Sequence, residues 1–286
     1  MEVVYVIAGR LTHQYREFCK KRGIDFELNT NVRPPDETTL FCSSGMQRMK
    51  PLFSDEDHRG TRANIQTCLR LNDLDEIGDQ THFLLFHMVG LFSFRQMTVP
   101  QAIDFWLDFL GEIGLPVDYV TIHPDRLDEW SPFYRGRVPI RPDVECKWSD
   151  GSISGYCTEF YREDVEIGNI VNPLGTCIDV GFGLERLDML LNRTPKPPEL
   201  DVLWDAITTL IGSGYRPGNK QGDYVLRKLL RLYSRKGGQN QHPYLRDEIA
   251  RVERSQRLYR RLLPRNLDKS PEWWHDTHGI VVNDLT

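Results

Sequence analysis

The sequence predicts an α+β protein: an antiparallel β-sheet core flanked by helices, followed by a small α-helical domain. Three observations carry this. Up to residue 192 the apolar runs are short, aromatic or β-branched, and bounded by turn residues, which is the pattern of strands. RTPKPPEL (193–200) then places three prolines in eight residues and can continue neither helix nor strand. Beyond it, apolar residues recur at three-to-four spacing between glycine and proline stops. The expected division is a core over 1–192, a Pro-rich linker over 193–200 and a helical domain over 201–286.

Taken in order, LTHQYREFCKKRG (11–23) has helical spacing and ends in glycine. TTLFC (38–42) reads as a strand. TCLRLNDLDEIGDQTHFLLFHMVGLFSF (67–94) reads as an antiparallel hairpin: a strand ending in Arg70, a short polar loop, and a return strand carrying His82 and Phe86. QAIDFWLDFLGEIG (101–114) is helical by its apolar spacing, while DYVTIH (118–123) and TCIDVGF (176–182) are strands. After the linker, ELDVLWDAITTLIG, GDYVLRKLLRLYSRKGG and LRDEIARVERSQRLYRRLLP are three helices.

With 286 residues, 40% hydrophobic and 27% charged, the chain can bury a sizeable core. MEVVYVIAGR holds a six-residue apolar stretch, too short for a signal or a membrane span, so the expectation is a cytoplasmic protein with no membrane partner. The six cysteines form no CxxC pair and have no histidine at zinc-ligand spacing; they read as free buried thiols, with no protein zinc motif. Net charge is −5, but residues 216–265 hold fourteen Lys and Arg against four Asp and Glu. Such a run is either a solvated helical face or a polyanion-binding surface, because neutralised phosphates release counterions.

One apolar run is unusual. DVGFGLERL (179–187) carries an aspartate, two glycines, a glutamate and an arginine. Alternating glycines ahead of Leu-Glu-Arg suit a strand passing into a helix where something approaches the backbone closely. An exposed salt bridge at a strand–helix junction would look the same. The hairpin at 67–94 supplies a second arginine in a matching setting, with Arg70 and Phe86 offered to one sheet surface. A planar donor fork and a flat apolar wall suit a phosphate and a nucleobase.

These blocks resemble the class II aminoacyl-tRNA synthetases and, within them, the alanyl-tRNA synthetases. TLFCSSGMQRMKPLF (39–53) is similar to the family's first motif region, CLRLNDLDEIG with HFLLFHMVGLFSF to its second, and VGFGLERL to its third. GYCTEFY (155–161) and EIGNIV (166–171) resemble the strands lining its amino-acid pocket. YRPGNKQGDYVLRKLLR (215–231) and WWHDTHGIVVNDLT (273–286) are similar to its acceptor-stem module. The resemblance implies a class II synthetase-like sheet, ATP and Mg2+ as cofactors, and alanine or a similarly small amino acid as substrate. Arg70 would contact the α-phosphate and Arg186 the γ-phosphate, as the catalytic pair. Phe86 would stack on adenine, with His82 and Glu159 also at the ATP site. Asp179 would accept hydrogen bonds from the α-ammonium group with Asn169 beside it, and Met46, Trp148, Ile170 and Gly181 would close the pocket. Asn219 and Asp276 would read the G·U pair of the tRNA acceptor stem, alongside Arg227, Lys228 and Arg231. Each has a plainer alternative: Met46, Trp148 and Ile170 as core, Asp179 as a cap or ion pair, Glu159 as a structural salt bridge.

The departures are equally specific. No segment resembles the family's editing domain, its zinc ligands or its oligomerisation module, so no clearance of mischarged serine or glycine is expected. Only Leu71 separates Arg70 from Asn72, a shortened loop, and Gly168 stands where the family has a tryptophan. Three readings stay open: a miniature synthetase charging tRNA, a ligase passing the adenylate to a carrier protein or small amine, and a non-catalytic binder of tRNA or nucleotide.

Overall fold

The computed structural model describes residues 2–36, 38–71, 83–149, 151, 153–278, 280 and 282, with side chains from residue 9 onward. It divides into two compact units, Met1–Thr209 and Leu210–Thr286.

The first unit is a mixed α/β layer. Helix α1 (Glu2–Lys21) buries Leu11, Tyr15 and Phe18, an i, i+4, i+7 stripe, and Gly23 with a φ of +67° follows its end. It leads into β1 (Asp25–Asn29), a 3₁₀ segment at Gly45–Met49, α2 (Lys50–Ser54), β2 (Gly60–Leu69) and β3 (Leu85–Phe94). Helix α3 (Val99–Ile113) opens on a Thr98–Gln101 capping box with Pro100 in its first turn and closes on left-handed Gly114, as its sequence foretold within two residues. Then come β4 (Tyr119–Ile122), α4 (Leu127–Tyr134), β5 (Ile140–Pro142), β6 (Lys147–Ser149), β7 (Ser154–Arg162), β8 (Val165–Pro173), β9 (Cys177–Gly183) and α5 (Leu184–Asn192). Residues 193–198 form neither helix nor strand, and α6 (Glu199–Gly212) starts directly after them.

Nine strands among the described residues make one sheet in the order β1-β2-β3-β9-β8-β7-β4-β5, with β6 on β7. The pairings β1–β2 and β4–β5 are parallel and the others antiparallel. The TTLFC segment is not among the strands. Thr39 turns its hydroxyl onto the Phe41 carbonyl and takes a hydrogen bond from Gln47, and these local bonds fold the segment into bends instead of a ladder.

Because side chains alternate along a strand, the sheet has two unlike faces. One carries Ala63, Ile65, Val89, Leu91, Val180, Phe182, Ile170 and Phe160, and α1 and α3 cover it to form the main core. There the Phe182 ring stacks on Trp106 at 4.1 Å between centroids and a 10° interplanar angle. The other face carries Asn64, Gln66, Met88, Gly90, Asp179, Gly181, Asn169 and Val171, and among the described residues of this unit no long helix covers it.

The second unit is helical, with α7 (Gln221–Arg235), α8 (Pro243–Leu262) and α9 (Pro271–His278). Leu226, Leu229 and Leu230 of α7 and Leu245 of α8 are buried, and Tyr259 meets Trp274 edge to face at 4.7 Å. No helix of the described residues is long and apolar enough to cross a membrane.

Candidate functional site

A cleft of about 830 Å3 opens on the uncovered sheet face of the first unit. Its lining includes Met46, Arg70, Phe86, Trp148, Asn169, Asp179, Gly181 and Arg186, so eight residues singled out from the sequence meet in one cavity.

Strand register sorts them into two ends. Along β9, Asp179 and Gly183 lie four positions apart, about 13 Å at the usual rise. Gly183 pairs with Met88 and leads into α5, whose first turn carries Arg186. Phe86 lies just beyond Met88 on β3, and Arg70 follows Leu69, the partner of Leu85. Glu166, near the start of β8, lies beyond the Gly168–Phe182 pair on the same side. Arg70, Phe86, Glu166 and Arg186 therefore gather at one end. Asp179, paired with Phe92 and Val171, marks the other, together with Met46, which packs with Phe92 and Trp148.

At the arginine end the guanidinium of Arg70 donates from Nε and Nη2 to the Ser43 carbonyl at 3.1 and 3.0 Å, and stands 4.8 Å from the Phe86 ring centroid. This holds a planar cation beside an aromatic wall. Arg186 donates to the Glu166 carbonyl at 2.8 Å and pairs with its carboxylate at 3.6 Å. Burial raises the Glu166 carboxyl above its ordinary value, against the opposing pull of Arg186 and Arg70. One carboxylate thus feels both guanidinium groups across the cleft.

At the other end Gly181 leaves the floor bare, since a Cβ there would come 2.9 Å from the Met88 sulfur. Asn169 is its cross-strand partner. Gly168 differs: a side chain there would enter the core and run into Phe182, so its lack of one does not open the cleft wall.

Several expected site residues lie elsewhere. Ile170 is 0% exposed and sits in the main core, because alternation turns it away from its cleft-lining neighbours Asn169 and Val171. Glu159 does not line the cleft; its carboxylate accepts hydrogen bonds from Tyr161 at 2.8 Å and Thr121 at 3.4 Å. His82 falls outside the described residues. In the helical unit, Asn219, Lys228 and Asp276 are exposed. Arg231 is not: its side chain is 4% exposed and donates to Glu248 at 3.0 Å. Arg227, 12% exposed, bonds Glu248 and also Asn219. Residues 227 and 231 share one face of α7, and that face meets α8, where Arg251 completes the cluster around Glu248.

Three residues in or behind the cleft lining were not read from the sequence. Glu166 is one. The others are Glu185, which lines the cleft, and His87, whose Nδ1 lies 2.6 Å from the Glu185 carboxylate. The charge pair Glu185-Arg186 at a strand–helix junction was the available signal for Glu185.

Residues 10–142 match the family model described as tRNA synthetases class II (A). The alanine–tRNA ligase of Oleidesulfovibrio alaskensis is 28% identical over 278 residues, 78% of this chain and 32% of that protein. The Chlamydia trachomatis enzyme is 28% identical over 328 residues, covering 85% and 37%. A chloroplastic/mitochondrial alanine–tRNA ligase of Populus trichocarpa is 26% identical, covering 81% and 31%. The chain thus spans about a third of the length of the curated relatives it matches. Among solved structures, a pyrrolysyl tRNA synthetase of Desulfitobacterium hafniense aligns with a TM-score of 0.41 and 15% identity over 64% of this chain and 68% of that one. By sequence, then, residues 10–142 are similar to the class II tRNA synthetase domain, and the relatives matched along about four fifths of this chain are alanine–tRNA ligases.

Proposed function

We propose that the protein is an aminoacyl-tRNA ligase that activates alanine, or an amino acid of similar size, with ATP and transfers it to tRNA. The observation that carries this reading is the meeting of Arg70, Phe86, Glu166 and Arg186 at one end of the cleft and Asp179 at the other. A triphosphate needs donor forks and a base needs a flat wall, whereas the α-ammonium group of an amino acid needs a carboxylate. The two ends are separated by roughly the length of an aminoacyl adenylate.

Arg70 and Arg186 would hold the phosphates and stabilise negative charge as pyrophosphate leaves, while Phe86 would cover the adenine. Glu166, which pairs with Arg186 and lines the same cleft as Arg70, would be the carboxylate to hold a magnesium ion bound to those phosphates. Magnesium, when bound, neutralises developing charge on the phosphates. Asp179 and Asn169 would orient the amino acid, and Met46 and Trp148 would limit its side chain to a small group.

For the second half-reaction, the exposed Asn219, Lys228 and Asp276 supply polar and positive groups suited to an RNA minor groove and its phosphates. The test has two parts. Pyrophosphate exchange should respond to alanine among the twenty amino acids, and silence with all of them refutes the enzyme reading. Charging should then prefer a tRNA acceptor stem with G·U over one with G·C. Adenylate formation without charging of either RNA would transfer the reading to a carrier protein or small-molecule acceptor.

A further inference from the structure

Cys146 and Cys157, with ten residues between them and in no metal-binding motif, are neighbours in space. The Cys157 N–H donates to the Cys146 carbonyl at 2.9 Å, where the chain enters β6 alongside β7. Glu159 is two residues on from Cys157 in β7 and so shares its face. The two sulfurs and a Glu159 carboxylate oxygen all lie within 4.8 Å of one another.

We propose that Cys146, Cys157 and Glu159 form a binding site for a thiophilic divalent cation of the zinc type, separate from any magnesium that accompanies ATP. Tetrahedral zinc, with bonds of about 2.3 Å to sulfur and about 2.0 Å to oxygen, sets its ligand atoms about 3.5–3.8 Å apart. Cys157 Sγ and Glu159 Oε1 are 3.9 Å apart, so the cluster closes on an ion with side-chain adjustment alone. The carboxylate is already aimed. Its Oε2 accepts from the Tyr161 and Thr121 hydroxyls, which leaves Oε1 facing the sulfur, and Thr121 also accepts from the Cys146 thiol at 3.0 Å. Outer partners of this kind fix ligand orientation in metal sites. Val171 shares an apolar cluster with the two cysteines, and Trp148 packs against that cluster. Two thiols select a soft ion over magnesium or calcium. Three protein ligands leave one position for water, and both β7 ligands pair across β8 with cleft residues, Cys157 with Val171 and Glu159 with Asn169. The ion would therefore brace the strand that carries the amino-acid end of the cleft.

The test uses the full chain, reduced, stripped with a chelator and titrated anaerobically with Co2+ as an optical probe. The expected result is one cobalt per chain, with a near-ultraviolet thiolate charge-transfer band and the intense visible bands of a tetrahedral site, both displaced by one equivalent of Zn2+. C146S and C157S should abolish the charge-transfer band. E159Q should leave the band but weaken binding, and Tyr161→Phe should weaken it about 10-fold as the loss of an outer partner does. Zinc, and not magnesium, should raise the melting temperature of the wild-type chain, a readout that needs no variant to fold. Absence of stoichiometric cobalt and of the zinc shift in the wild type, a disulfide between the two cysteines under reducing conditions, or an unchanged band in both serine variants would each overturn the proposal. Every readout is of metal binding, so its failure is distinct from failure of the adenylation reading.

Discussion

His87 Nδ1 lies 2.6 Å from Glu185 Oε1, and the His87 backbone N–H donates to the same carboxylate at 2.9 Å. Both side chains are nearly enclosed, 8% and 13% exposed, and Glu185 immediately precedes Arg186. The pair therefore ties the first turn of α5 to β3 and fixes where the Arg186 side chain starts. Burial pulls the imidazolium down from 6.5, but the charge and hydrogen bond of Glu185, helped by Asp205, outweigh it and raise the value. A raised imidazole contributes stability that is full below 6.5 and fades as pH rises through the folded-state value. Glu185→Gln should cost about 3 kcal/mol at pH 6, with the gap from wild type narrowing toward pH 9. Chemical unfolding at several pH values reads this, and a gap that does not vary with pH would contradict the ion pair.

Arg186→Ala removes one guanidinium from the cleft without touching the His87–Glu185 pair. Its expected effect is a fall of about 10²–10³ in the rate of amino-acid-dependent pyrophosphate exchange, the loss typical of one preorganised charge contact. A near wild-type rate would remove Arg186 from the chemistry.

Lys228→Ala and Asn219→Ala should leave pyrophosphate exchange unchanged and lower tRNA charging. For Lys228 the loss should come with a shallower salt dependence of RNA binding, by about one unit of log–log slope, as for one phosphate contact. Equal loss in both half-reactions would point to misfolding instead, which the melting curve would register.

Glu248, itself buried, pairs with Arg227, Arg231 and Arg251. Burial opposes its ionisation, but the three arginines outweigh burial and lower its value below 4.5. A lowered carboxyl contributes stability that is complete above its unfolded value and lost as pH falls through the folded one. Glu248→Gln leaves three cations facing each other and should cost the helical unit about 3–5 kcal/mol at neutral pH. Circular dichroism melting measures it, and a smaller loss at pH 3 than at pH 7 is the sign to look for.

Gly168→Ala places a methyl group against the Phe182 ring, which Trp106 backs by stacking, so neither ring can yield without the other. The expected cost is about 1–3 kcal/mol of stability from overpacking, with pyrophosphate exchange retained in the folded fraction. A change in amino-acid preference with stability intact would place residue 168 in the cleft wall.

What the sequence determined by itself was the local pattern and the roster of chemistry. Helix α3 was legible because its capping box and terminal glycine act within a few residues, and the motif arginines because charge inside an apolar run is conspicuous. TTLFC was misread as a strand because local side-chain bonds of Thr38 to Asp36 and of Thr39 to the Phe41 carbonyl and Gln47 hold its first residues in bends. Tertiary structure decided which face each side chain took. Ile170 went to the core and Asn169 to the cleft because strand side chains alternate, and one residue of register exchanges the two faces. Arg231 went inside because α7 turns that side toward Glu248. Cys146 met Cys157 because β6 pairs with β7. Residue type is written along the chain, but proximity depends on pairing between strands and helices distant in sequence, and only the packed core selects that pairing.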